Sequence, residues 1–187
     1  MKRKLELRDI AGYIPYAFKV QHQIPTSITI GELRVLGITK NSIVNSEFID
    51  AEYTVKSSDY ENDKLYVIKI KDTKPILRPL SDLYKTIKHN GKEVVPIVEL
   101  AKIACPCLEW ELWKNIAVSS DRDDGFITAK IKWEESEYYF SYTKEDGAIK
   151  NLPQLFDYLH ELKIDYRGLI DEGLAVSVYD FENEIYN

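Results

Sequence analysis

KPILRPLSDLY, residues 74–84, is where the chain changes character. Lys74-Pro75 and Arg78-Pro79 both read as extended dipeptides, because a proline pushes the residue before it out of the α region. The run joins a strand-rich part that ends near Asp72 to a mixed part that follows Pro79. Ser81 stands where an N-cap belongs. Leu80, Leu83, Tyr84 and Ile87 then mark the buried face of a predicted helix ending near His89-Asn90-Gly91.

Upstream, Leu7, Ile10, Ala11 and Ile14 recur at helical spacing and predict a short helix over 5–12, stopped before Pro15. Residues 16–22, 28–38, 48–57 and 65–71 are rich in β-branched and aromatic side chains and read as strands. In the third, Ile49, Ala51, Tyr53 and Val55 alternate with Asp50, Glu52 and Thr54; in the fourth, Tyr66, Ile68 and Ile70 share a face.

Downstream, a short strand at 93–95 leads through Pro96 into a helix with Ile97, Leu100, Ala101 and Ala104 inward, and Leu108, Leu112, Trp113 and Ile116 suggest another helix. Asp121 to Gly125 is a turn. Residues 126–133 and 137–143 alternate as a hairpin around Glu134-Glu135, with Ile127, Ala129, Ile131 and Trp133 on one face. Asn151 and Gln154 form a capping-box pattern with Pro153 in the first turn, heading a helix that buries Leu152, Leu155, Phe156, Leu159 and Leu162. A last short helix over Asp165–Glu172 is stopped by Gly173, and a strand over 174–178 follows. The expected fold is α+β: one domain over 1–187 in two lobes, β-rich over 1–72 and mixed over 73–187.

The composition agrees with an ordinary globular chain: 187 residues, 44% hydrophobic and 30% charged, with two cysteines. It excludes a disordered chain, a collagen-like chain and a disulfide scaffold. Glu6, Arg8 and Asp9 interrupt the apolar run that a secretory signal needs, and no window is long and apolar enough to span a membrane. A reducing cytoplasm is the expected compartment, and no membrane partner is expected.

No motif with catalytic chemistry stands out. Cys105-Pro106-Cys107 lacks the two-residue gap of thioredoxin-like exchange and the paired spacings of a zinc site, and a one-residue gap strains a disulfide. The pair reads as packing cysteines near a helix end. Asp121 to Gly125 fails as a calcium loop, because an arginine falls on a ligand position and Ile131 on the position of the closing carboxylate. His22, His89 and His160 lie far apart, Glu109 and Glu111 point different ways if helical, and no glycine-rich phosphate loop or nucleophile elbow is present. No metal and no cofactor is expected.

The charge map says more than the net −6. Residues 64–92 carry Lys64, Lys69, Lys71, Lys74, Arg78, Lys85, Lys88 and Lys92 against Asp72 and Asp82, a net +6. Residues 157–187 carry a net −6. The basic run reads either as a surface for an anionic partner, or as solvated lysines on a strand edge and helix face, or as a match to the acidic C-terminal part. Only Tyr66 and Tyr84 lie within it to stack on bases, so single-strand recognition has little support.

Four strings, ELRDIAGYIPY (6–16), KPILRPLSDLYKTI (74–87), NGKEVVPIVEL (90–100) and FDYLHELKIDYRGLIDEGLAV (156–176), together resemble a family of uncharacterised proteins from phages and prophages of gut Bacteroidales bacteria. The resemblance covers 57 of the 187 residues and implies a mobile-element product acting inside a bacterial cell. It carries no activity, cofactor or catalytic residue with it. In its second string, Arg78 is the residue with functional potential, or else a clamp on a carboxylate of its own fold. The expected function is a non-enzymatic accessory or interaction protein with a protein partner. A nucleic-acid binder using 64–92 is the alternative, and an enzyme whose histidines and carboxylates meet only in the fold is the third. Nothing in the sequence specifies an oligomeric state.

Overall fold

The computed structural model describes residues 3–16, 19–24, 27–34, 52–57, 65–69, 72–120, 127–134, 139–143, 149 and 151–181. The chain is α+β. It divides into two compact units, one formed by Met1–Leu77 with Gly168–Ile185 and the other by Arg78–Arg167.

The first unit is built on a six-stranded sheet. Its strands are β1 (Lys19–Ile24), β2 (Ser27–Arg34), β3 (Glu52–Ser57), β4 (Leu65–Lys69), β5 (Thr73–Leu77) and β12 (Val176–Ser177), in the order β12-β5-β1-β2-β3-β4. The predicted join is therefore an inner strand: β5 runs antiparallel to β1, with Val20 opposite Pro75, and parallel to β12. Pro75 brings no ladder N–H, and the pairing with β12 begins one residue later, at Ile76. Pro75, Ile76 and Leu77 are consecutive buried positions, so both faces of β5 are covered here.

The N-terminal helix is shorter than the spacing predicts. Helix α1 covers only Leu7–Ile10, and a 3-10 turn over Ile14–Tyr16 follows. Glu6 and Asp9 form a reciprocal capping box at its start. Arg3 then holds Asp9 at 2.7 Å and Glu172 at 2.9 Å, tying the first residues of the unit to its last segment. The facing set Ile49, Ala51, Tyr53 and Val55 lies partly outside the described residues, which take up the strand at Glu52.

The second unit carries strands β8 (Glu111–Trp113), β9 (Ile116–Ser120), β10 (Ile127–Glu134) and β11 (Tyr139–Thr143) in one antiparallel sheet, in the order β11-β10-β9-β8. The predicted hairpin of β10 and β11 is present, with Trp133 opposite Phe140. Ala129, Ile131 and Trp133 are buried along one face of β10, as the alternation requires. Helix α2 (Pro96–Ala104) and helix α3 (Leu152–Glu161) cover this core with Ile97, Leu100, Ala101, Leu155 and Leu159. Each of the fully buried isoleucine and leucine side chains among these contributes about 1.5–3 kcal/mol of hydrophobic stabilisation.

Three predicted helices do not form as α-helices. Leu80–Tyr84 is a single 3-10 turn entered from Pro79, and Ser81 caps nothing. Beyond it, β6 (Ile87–His89) and β7 (Lys92–Val94) form a hairpin over Asn90-Gly91, whose φ values of 50° and 75° make the type I′ turn favoured by the right-handed strand twist. The 108–116 segment turns back at Lys114-Asn115 to pair β8 with β9. Residues 165–173 make separate turns, and Gly173, at φ 71°, ends the last of them as expected. The capping box at α3 is also not formed: Asn151 is the N-cap residue, but its Nδ2 donates to Ile103 O at 3.0 Å, and Leu152 is exposed.

Because a Cβ on residue 91 meets nothing within 4 Å, only the backbone resists a side chain there. Gly91→Ala is expected to cost about 1–2 kcal/mol, the penalty of a left-handed non-glycine residue. The urea midpoint is expected to fall with an unchanged m-value.

Candidate functional site

The basic segment is divided between the two units. Lys64 and Lys71 lie outside the described residues. Lys69 ends β4 opposite Glu52, and Lys74 is exposed on β5; both belong to the first unit. Arg78, Lys85, Lys88 and Lys92 belong to the second. Arg78 is half-buried. Lys85 is bound by the fully buried Asp82 at 3.1 Å and by Ser81 at 3.3 Å. On the β6–β7 hairpin, Lys88 stands opposite Glu93 and Lys92 opposite His89, so these two exposed lysines occupy opposite faces of the ribbon.

A polar cluster gathers instead at the C-terminal end of α3. Glu161 is the last helical residue, and Lys163 follows in the left-handed region at φ 60°, a position usually held by glycine. Lys163 stays there because its groups are used. Its Nζ donates to Glu161 O at 2.7 Å, and its carbonyl accepts the Arg78 N–H at 2.8 Å. Burial lowers the ammonium pKa of Lys163; Glu161 opposes that shift and Arg78 adds to it. The Glu161 carboxylate meets His89 Nε2 at 2.9 Å and takes a longer bond of 3.4 Å from Asn90 Nδ2. Tyr158 stands edge-on to the His89 ring at 6.1 Å, and burial, with Glu99 and Glu161 nearby, raises its phenol pKa well above the usual value. The hairpin turn and the helix end are thus fastened together by side chains 72 positions apart. This is the histidine–carboxylate contact that the enzyme reading asks for, and its evident physical effect is to hold two elements in register.

A second cluster surrounds Tyr166. Its ring packs on Trp133 and Phe156, with centroids at 6.0 and 5.2 Å. Arg167 Nε donates to Tyr166 Oη at 3.1 Å, and that hydroxyl lies 2.8 Å from His160 Nε2. With Oη accepting from Arg167, its proton is directed to His160, which suits a neutral imidazole protonated on Nδ1. Burial lowers the His160 pKa, the Arg167 charge lowers it further, and Asp157 opposes both.

The remaining candidates separate. His22 lies in β1 opposite Thr29 and Thr73. Asp121 to Gly125 lies outside the described residues. Glu109 and Glu111 are both exposed around buried Trp110, in extended rather than helical chain. Cys105 caps the C-terminal end of α2 and is half-buried, but Cys107 is exposed, which corrects the reading of both as packing residues. Among the described residues, no three His, Cys, Asp or Glu side chains gather as a metal would require, and no helix is long and apolar enough to cross a membrane. The feature that the sequence reading missed is on β8, where Leu112 and Trp113 are 37% and 50% exposed. Their spacing with Leu108 and Ile116 suggests a helix, whereas the chain turns at Lys114-Asn115 and pairs as a hairpin. Comparison with family models, curated proteins and solved structures finds no match.

His160 gives the cluster a pH dependence. Its folded pKa lies below the usual 6.5, so the unfolded chain binds the extra proton first as pH falls. Its contribution is complete above 6.5 and is progressively lost as pH drops through the unfolded and then the folded value. Unfolding titrations between pH 7.5 and 5, chosen to span about one unit or more on either side of that value, are expected to show falling stability. His160→Gln is expected to flatten this part of the curve.

Proposed function

We propose that this chain is a non-enzymatic interaction module of the phage or prophage accessory type, acting in the cytoplasm, which binds an extended segment of a protein partner along β8. The observation that carries the reading is Trp113, half exposed beside Leu112 on the terminal strand of the β11-β10-β9-β8 sheet. A terminal strand offers main-chain donors and acceptors to an added strand, and neighbouring side chains supply selectivity. Large apolar groups on such an edge are a liability unless something covers them.

The chemistry of the partner follows from the surroundings. Glu111 is exposed two residues before Trp113 on the same strand, and Lys114 Nζ lies 4.9 Å from the centre of the Trp113 ring. The ring already takes a cation on one face, and its half-exposed remainder is suited to a partner arginine or lysine that stacks on the other face or displaces Lys114. A segment that alternates apolar and basic residues fits this edge best. The dispersal of Lys85, Lys88 and Lys92 gives the nucleic-acid alternative less support.

Selection of displayed peptides on the immobilised protein tests the proposal. Enriched peptides are expected to alternate apolar and basic residues, and Trp113→Ala is expected to weaken them about tenfold or more, in line with loss of an aromatic anchor. Peptides that bind Trp113→Ala as tightly as the parent overturn it. So does retention on duplex DNA that weakens steeply with salt, in the absence of any enriched peptide.

A further inference from the structure

We propose that Cys105 and Cys107 form a reversible dithiol–disulfide pair that exchanges with small-molecule disulfides. Their sulfurs lie 3.1 Å apart, and both are thiols. The main chain sets this approach. Cys105-Pro106-Cys107-Leu108 is a turn closed from Leu108 N–H to Cys105 O at 3.4 Å, with proline at the second position, where its fixed φ favours the bend.

Cys105 is anchored at three points. Its N–H donates to Ala101 O at 2.9 Å, and its carbonyl accepts both the turn bond and Trp110 Nε1, the latter at 3.0 Å. The sulfurs need to close by about 1 Å to reach the ~2.05 Å of a disulfide, and Cys107, which is exposed, is the side able to move. The strain of a one-residue gap, together with exposure, makes the resulting bond easily reduced. That is the behaviour of the transient, redox-sensing disulfides found in reducing compartments.

The two cysteines have different roles. Cys105 sits at the C-terminal end of α2, where the negative pole of the helix disfavours a thiolate. Cys107 lies beyond that end and in solvent, so it attacks first. The Cys107 thiolate displaces one thiolate from the small-molecule disulfide and forms a mixed disulfide. Cys105 then gives its proton to water and attacks Cys107 Sγ, which breaks the mixed disulfide and releases the second thiolate. The released thiolates take up the two protein protons. One small-molecule disulfide is reduced to two thiols, and the protein dithiol is oxidised to one disulfide.

The test equilibrates the reduced full-length protein with glutathione buffers of rising disulfide content, then quenches with acid, alkylates and weighs the products. The expected product lacks two hydrogens, resists alkylation at both cysteines, and returns fully to the dithiol when reduced glutathione is added. Trp110 emission is expected to follow the same titration, since its Nε1 is bound to Cys105 O. Cys107→Ser, a change at an exposed site whose folding is checked by circular dichroism, is expected to stop at a single glutathione adduct or to stay reduced. Wild-type protein that accumulates two glutathione adducts, or that is alkylated at both positions in every buffer, overturns the proposal.

Discussion

Two main-chain hydrogen bonds, from Arg78 N–H to Lys163 O and from Asp165 N–H to Arg78 O, each 2.8 Å long, join the chain where it enters the second unit to the chain where it is about to leave. Arg78 and Ile164 thereby form a parallel bridge. Pro79 disfavours the helical conformation at Arg78, and the pairing of Ile76 and Leu77 with β12 delivers the chain to it extended. Much of the second unit's polar architecture depends on this contact. It holds Lys163 in its left-handed conformation, which ends α3 at Glu161, which in turn places the carboxylate on His89 and Asn90.

In the same cluster the histidine–carboxylate contact has a structural use. Glu161 is shared among His89, Asn90 and, through its carbonyl, Lys163, and each contact ties a loop to the helix end. Tyr166 does comparable work for the aromatic cluster, since its hydroxyl ties His160 and Arg167 while its ring fills the space beside Trp133 and Phe156. Solvent-exposed side chains lie elsewhere, among them Leu112 and Trp113 on β8 and Cys107 after α2.

How much was legible depended on how many residues spoke for each element. The alternation along β10, the proline-headed α2 and the apolar stripe of α3 are long patterns, and they are present in the fold. The errors are short apolar runs in which helical and strand spacings coincide. Leu80, Leu83, Tyr84 and Ile87 fit a helix, yet Asn90-Gly91 is among the strongest hairpin signals available and outweighs them. Leu108, Leu112, Trp113 and Ile116 fit a helix too, but the β-branched Ile116 and Val118 and the turn between them and Trp113 make a hairpin. Of the candidate site, the cysteine pair and the basic segment were visible as strings. The Glu161–His89 contact was not, because only the folded chain brings positions 72 apart together.

The first unit is discontinuous: β12 comes from the last part of the chain but pairs with β5, a hundred residues earlier in sequence. A ribosome therefore finishes the second unit, Arg78 to Arg167, before it has made the strand that completes the first. The second unit has its own paired ends and its own core, so it is equipped to fold while the rest is still being made. The six-stranded sheet must wait, with one side of β5 uncovered, until Val176 and Ser177 emerge. During synthesis, the β5 edge that pairs with β12 is therefore the side of that strand left uncovered until the chain reaches Val176.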